Sequence, residues 1–272
     1  MSLSLADVLV ALVLLGTVAG FLAGLLGVGG ALMMIPFITF LLSTQGVDPD
    51  SAVKMAIATG MSTIVVTSLA STRAHHKLGA VRWDLVKGLA PGILIGSALS
   101  SLWLFAVLKG SVLALFFAGF TAFSATQMVL DKKPKPSRHM PGPLGQTVVG
   151  TVIGTLSGLV GAGGAFVSIP FMTWCNIPLR NAVATSAAIG LPVALANALG
   201  YVVSGWDAPH NVDWSFGYIW LPGLVVIGLC TMVTAPIGAR MAHTMPVLKL
   251  KRGFALLLFL LASYMLYRGL NS

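Results

Sequence analysis

Apolar residues run through this chain in long blocks, separated by short polar breaks. Residues 5–26 form the first block, long enough to cross a bilayer at about 1.5 Å per residue. It is broken at Gly27-Val-Gly-Gly30 and followed by a shorter apolar segment, 31–43, that contains Pro36. A polar loop from Gln45 to Ser51 leads to a predicted helix over 52–72, with Lys54 near its start. A basic loop follows, carrying Arg73, His75, His76, Lys77, Arg82 and Lys87. Two further helices are predicted at 88–108 and 111–130, hinged at Lys109-Gly110. The stretch 131–143 is rich in proline and basic residues, which excludes a membrane helix there. Beyond it the plan recurs: an apolar run at 144–160, a break at Gly161-Ala-Gly-Gly164 and a short segment to Trp174. Helices are then predicted over 180–203, 216–239 and 252–270.

The two glycine breaks are copies of one motif. Residues 20–37 and 154–171, offset by 134, match at 11 of 18 positions, including both glycine clusters and Ile-Pro-Phe. Glycine and proline weaken or break helices, so each copy reads as a membrane helix interrupted at a turn. Lys54-Met-Ala-Ile-Ala-Thr-Gly60 likewise aligns with Arg180-Asn-Ala-Val-Ala-Thr-Ser186, and Trp83 with Trp214. The expected organisation is a first transmembrane repeat over 1–130, a cytoplasmic linker over 131–143 and a second repeat over 144–272.

Positively charged short loops favour the cytoplasm. Placing the basic loops 73–87, 131–143 and 240–252 inside makes helix 52–72 run inward and its equivalent, 180–203, run outward. The repeats are therefore expected to be inverted, and both termini extracytoplasmic. Each glycine-broken element must make an even number of crossings, as a re-entrant hairpin or as two spans. The fold expected is an all-α polytopic membrane protein of two inverted-topology repeats. Each repeat is a glycine-broken helical hairpin plus three transmembrane helices, about 8–10 membrane segments in all. The first residues carry no basic n-region, so the first apolar run is expected to stay in the membrane.

Composition narrows the chemistry. The chain is 57% hydrophobic and 8% charged, with mean hydropathy +0.94, which excludes a soluble domain. Its seven acidic residues are all aspartates, and none lies in the middle of an apolar run. Cation carriers keep a carboxylate at membrane depth, so a cation substrate is disfavoured. The net charge of +9 points toward an anion. Cys175 and Cys230 have no disulfide or metal spacing, and no metal cluster or cofactor motif is present. No nucleophile elbow or phosphate-binding loop survives inspection, so no catalytic residues and no enzyme activity are expected.

Paired broken segments in the two halves of a membrane protein point to a transport site near the midplane. The first candidates for binding an anion are therefore the turn amides of Gly27, Gly29, Gly30, Gly161, Gly163 and Gly164. Close packing of helices is the competing use of these glycines. Thr59, Ser62, Thr185 and Ser186 offer hydroxyl donors inside helices, unless they bond back to their own helix. Asn197 is an intramembrane amide that could serve a ligand or a helix contact. Lys54 and Arg180 are matched cations that could steer an anion into each vestibule, or snorkel to lipid headgroups.

The doubled Gly-x-Gly-Gly-to-Ile-Pro motif, the Ala-Thr-Gly/Ser helix and the stretch from His76 to Trp83 together resemble the TauE/SafE sulfite exporter family. The resemblance covers nearly the whole chain. Many members have a third consecutive glycine where this chain has Ala31 and Ala165. It implies a bacterial cytoplasmic-membrane transporter of sulfite or an organosulfonate such as sulfoacetate, working by alternating access between inverted repeats. Its expected partners are the small anion and membrane lipid, not nucleic acid, with pairing into a homodimer left open. A passive anion channel and a non-transporting membrane assembly factor are the alternatives.

Overall fold

The computed structural model describes residues 4–26, 30–130, 138–207, 212–241 and 248–271. It is nearly all helical, and 8 of its helices are long and apolar enough to cross a membrane. In chain order, the first half contains α1 (Leu5–Leu26), α2 (Ala31–Thr44), α3 (Pro49–Lys77), α4 (Trp83–Val107) and α5 (Gly110–Leu130). The second contains α6 (Pro143–Val160), α7 (Ala165–Trp174), α8 (Leu179–Ser204), α9 (Leu221–Met241) and α10 (Leu248–Leu270). The linker residues 131–137 lie outside the described residues, as does part of each of the loops 204–214 and 240–252.

Three elements differ from the sequence expectation. α3 is longer than 52–72 because both ends are chemically supported. Asp48 caps it by accepting the Ser51 N–H at 3.1 Å, Pro49 sits in its first turn, and His75, His76 and Lys77 occupy its last turn. α4 starts at Trp83, so the basic loop shrinks to 78–82, and Leu99–Leu104 within it is a π-helical turn. The start of the helix expected at 216–239 is instead an antiparallel hairpin of β1 (Ser215–Phe216) and β2 (Ile219–Trp220), so the fold is not wholly α.

α2 and α7 have 14 and 10 residues. At 1.5 Å per residue they reach about 21 and 15 Å, short of the roughly 30 Å hydrocarbon core. Both start in the same way. Gly30 (φ 74°) and Gly164 (φ 79°) hold left-handed N-cap conformations, in which an L side chain costs about 1–2 kcal/mol. Each glycine's carbonyl then accepts the first helical amides, those of Met33 and Met34 and those of Val167 and Ser168.

The two halves interlock along seams of small residues. α1 lies along α9 in the same direction, with Gly16 facing Ile227, Gly20 facing Thr231 and Gly24 facing Ala235. α4 lies along α6 in the same way, with Gly88 facing Gln146, Gly92 facing Thr147 and Gly96 facing Thr151. A Cβ on Gly24 or Gly92 would fall 1.9 Å from the facing Ala235 or Thr147 carbonyl oxygen, so these glycines exist to let backbones touch. α3 and α8 form the centre and run in opposite directions. Ile64 and Ser68 meet Gly190, while Ala80, just beyond α3, meets Asn181 near the start of α8. α5 packs on α10. Several of the larger contacts recur on exchanging α1 with α6, α3 with α8 and α4 with α9: α3 touches α9 as α8 touches α4, and α2 touches α3 as α7 touches α8, whereas the contact of α3 with α5 is not matched by one of similar extent between α8 and α10.

Candidate functional site

A narrow cavity sits where α1, α3, α8 and the second glycine turn meet. Ile64, Thr67, Ser68 and Ser71 line it from α3, and Ser186 and Gly190 from α8. Ala23, four residues before the first glycine break, and Gly163, in the second, close its remaining walls. Its polar side chains all carry hydroxyls, and no charged side chain lines it. It holds about one water molecule in this conformation. The N-terminus of α7, the positive end of its dipole, begins two residues past Gly163.

The hydroxyls around it differ in their commitments. Ser186 shares a 2.9 Å hydrogen bond with Ser168 of α7. Thr67 donates to the Thr63 carbonyl at 2.9 Å, and Ser68 donates across to the Ala187 carbonyl of α8. The Ser71 hydroxyl is buried and has no hydrogen-bond partner among the described residues. Hydroxyls and turn amides can donate to an oxyanion without supplying a fixed counter-charge. Among the described residues no group of three His, Cys, Asp or Glu side chains is placed to hold a metal ion.

Of the glycines expected at the site, Gly163 lines the cavity. Gly161 ends α6 in a left-handed conformation (φ 71°) and packs on Ile35 of α2 and Ile57 of α3. Gly30 packs against the Ala19 carbonyl, and Gly164 packs beside Ile153 and Ser157. These three shape the turns rather than face the cavity. Gly27 and Gly29 lie outside the described residues.

Thr59 and Thr185 do not face the cavity either; they do matching work elsewhere. The Trp220 N–H donates to the Thr59 hydroxyl at 2.9 Å, and the Arg82 N–H donates to the Thr185 hydroxyl at 3.0 Å. Trp220 and Arg82 each immediately precede a helix, α9 and α4. Each threonine therefore occupies an otherwise unpaired amide at the start of a helix from the other half of the chain. Ser62 bonds back to the Ala58 carbonyl at 2.7 Å.

Asn197 joins α8 to α4. Its amide donates to the Ser97 hydroxyl at 3.0 Å and the Val193 carbonyl at 2.9 Å, and its oxygen accepts from Ser100 at 3.3 Å. The π-helical turn brings Ser100 against Asn197 and Ser101 against Gly200. Lys54 and Arg180, matched in sequence, occupy unlike places. Lys54 is only 7% exposed, 3.8 Å from Asp50 and 5.7 Å from the Tyr218 ring centre, tucked under the β1–β2 hairpin. Arg180 is exposed and reaches the Leu78 carbonyl at 3.5 Å.

Thr67, Ser68 and Ser71 are cavity residues that the sequence reading did not single out. A signal existed: Thr67, Ser68, Ser71, Thr72 and His75 recur at steps of three and four, which is one face of a helix.

Comparison with known proteins places the chain. The family described as Sulfite exporter TauE/SafE matches residues 12–265. A protein of Haemophilus influenzae named "Probable membrane transporter protein" is 36% identical over 250 residues, covering 92% of this chain and 94% of its own. "Probable membrane transporter protein YunE" of Bacillus subtilis is 25% identical, covering 97% and 99%. "Probable membrane transporter protein MJ0441" of Methanocaldococcus jannaschii is 24% identical, covering 84% of each chain. No solved structure matches.

Proposed function

The chain belongs to the sulfite exporter TauE/SafE family of membrane transporters, and on that premise we propose that it moves a small sulfur-containing anion, sulfite or an organosulfonate such as sulfoacetate. The observation that carries this reading is the hydroxyl-lined, uncharged cavity between α3, α8 and the second glycine turn. The anion would sit there, contacted by Ser68, Ser186 and the amide of Gly163. The lack of a lining carboxylate suits an oxyanion, which a carboxylate would repel.

We further propose that the two halves are inverted repeats working by alternating access. The antiparallel packing of α3 on α8, with the contacts that recur between the two halves, supports this arrangement. So do α2 and α7, whose short lengths suit half-depth elements. The basic residues at the end of α3 put that end toward the cytoplasm in this reading, and the hairpin 215–220 on the opposite side.

The test is counterflow in proteoliposomes loaded with unlabelled sulfite, then given labelled sulfite or sulfoacetate outside. A transient accumulation of label, reduced at least tenfold in Ser186→Ala, is expected of a carrier that uses this cavity. Simple equilibration without overshoot would replace the carrier with a passive channel. An unaltered Ser186→Ala variant would move the site elsewhere.

A further inference from the structure

The α3 face that lines the cavity continues beyond it. Ser71 is 3% exposed and Thr72 is 7% exposed, yet neither hydroxyl has a hydrogen-bond partner among the described residues. This is unusual along α3 itself. Thr59 accepts from Trp220, Ser62 and Thr63 bond back into the helix, and Thr67 and Ser68 bond to carbonyls. A helical serine or threonine can satisfy itself by rotating onto the carbonyl three or four residues back. Ser71 and Thr72 leave that option unused. The Ser71 hydroxyl lines the cavity, and Thr72 stands next to it toward the end of α3. Thr121 and Ser204 also lack partners among the described residues, but neither lines the cavity nor adjoins a residue that does.

The second half supplies a control within the molecule. The offset of 126 that pairs Thr59 with Thr185 pairs Ser68 with Ala194, Ser71 with Asn197 and Thr72 with Ala198. At those positions α8 has two methyl groups and an amide with three hydrogen-bond partners. One turn on, Tyr201 donates to the Gly158 carbonyl, and its ring lies 4.4 Å from that of Phe105. That stretch is filled and bonded.

We propose that Ser71 and Thr72 form a second oxyanion-binding step between the cavity and the C-terminal end of α3, through which the substrate crosses this half of the protein while the matching stretch of α8 stays sealed. The step rests on the reading that the cavity takes an oxyanion. Two unengaged hydroxyls one helical position apart can replace part of an oxyanion's hydration shell as it leaves the cavity. A neutral donor pair does this without trapping the ion.

The test introduces single cysteines by Ser71→Cys, Thr72→Cys, Ala194→Cys and Ala198→Cys in protein whose Cys175 and Cys230 are replaced by alanine. Transport is measured first, in proteoliposomes. Each introduced thiol is then exposed to 2-sulfonatoethyl methanethiosulfonate, a thiol reagent that itself carries a sulfonate. Labelling at 71 and 72, slowed about tenfold by millimolar sulfoacetate, with 194 and 198 unreactive, is the expected result. Unreactive thiols at 71 and 72 in transporting protein overturn the step alone, as does faster labelling at 198 than at 72. Absence of transport in the unsubstituted protein overturns the reading of the cavity and the step with it. As a second measurement, the Ser71→Ala/Thr72→Val double variant should lose about tenfold in transport rate with an unchanged melting midpoint. Unchanged transport rejects the step, and a lowered midpoint with proportionate loss of active protein assigns these hydroxyls to structure instead.

Discussion

The C-terminal halves of α3 and α8 are sequence equivalents with opposite characters. From Thr67 to His75, α3 presents hydroxyls and an imidazole on one buried face, and two of those hydroxyls have no partner among the described residues. From Val193 to Tyr201, α8 presents aliphatic groups, a triply bonded amide and a phenol that donates to Gly158. Both stretches pack against a helix seam of the other half, so the packing frame is the same. The difference lies in where polar groups spend their hydrogen bonds. A satisfied buried network holds two helices together, whereas an unsatisfied one keeps donors ready for something that comes and goes. In the proposed reading, side-chain chemistry makes one of these equivalent stretches a fastening and the other a surface for a ligand.

The largest effect should come from breaking the fastened side at its tightest point. A Cβ on Gly158 would lie 2.0 Å from the Ser100 hydroxyl and 2.3 Å from the Asn197 oxygen. Gly158→Leu should lower stability by about 3 kcal/mol, read as a fall in the melting midpoint in detergent. A midpoint within error of the unsubstituted protein would mean that α6 is not clamped there.

The next effect sharpens the contrast directly. Asn197→Ala strips the Ser97 hydroxyl of its donor, leaves Ser100 only its bond to the Ser97 carbonyl, and should cost about 2 kcal/mol. Ser71→Ala, at the equivalent place on α3, should leave stability within about 0.5 kcal/mol. Both are measured by thermal unfolding on the same preparation. Equal losses would erase the proposed division between fastening and ligand surface.

Where the two halves are alike, effects should match. Thr59→Val and Thr185→Val each leave a helix-start amide without its acceptor, and each should cost about 1 kcal/mol. Because the two bonds are separate, the double variant should cost about 2 kcal/mol, the sum. Strong non-additivity would show that the two contacts act as one unit.

The smallest effect is expected at the least engaged of the matched pairs. Arg180 is exposed and makes one long hydrogen bond among the described residues, so Arg180→Gln should change stability by less than about 0.5 kcal/mol. Lys54→Gln leaves Asp50 without its cation beneath the hairpin and should cost more than Arg180→Gln in the same unfolding assay. The reverse order would contradict the burial seen at Lys54.

The sequence by itself determined the membrane character, the positions of the two breaks and the repetition of the motif around them. These rest on local, additive properties: run length, glycine and proline placement, and repeated spelling. Gly30 and Gly164 illustrate this, since their left-handed geometry is a property of one residue and its two neighbours. The same pattern named Ser186 and Gly163, which do meet at the cavity. Only the tertiary structure decided which hydroxyls face a cavity and which are consumed by contacts. Thr59 and Thr185 were as eligible in sequence as Ser68 and Ser71, but they are taken up by Trp220 and Arg82, 161 and 103 residues away. The hairpin at 215–220 and the unlike fates of Lys54 and Arg180 were hidden for the same reason. A helix's apolar face has no local preference among partners of similar shape. Its rotation, and hence what each hydroxyl meets, is set by seams such as Gly24 on Ala235 and Gly92 on Thr147, which form only when distant helices close together.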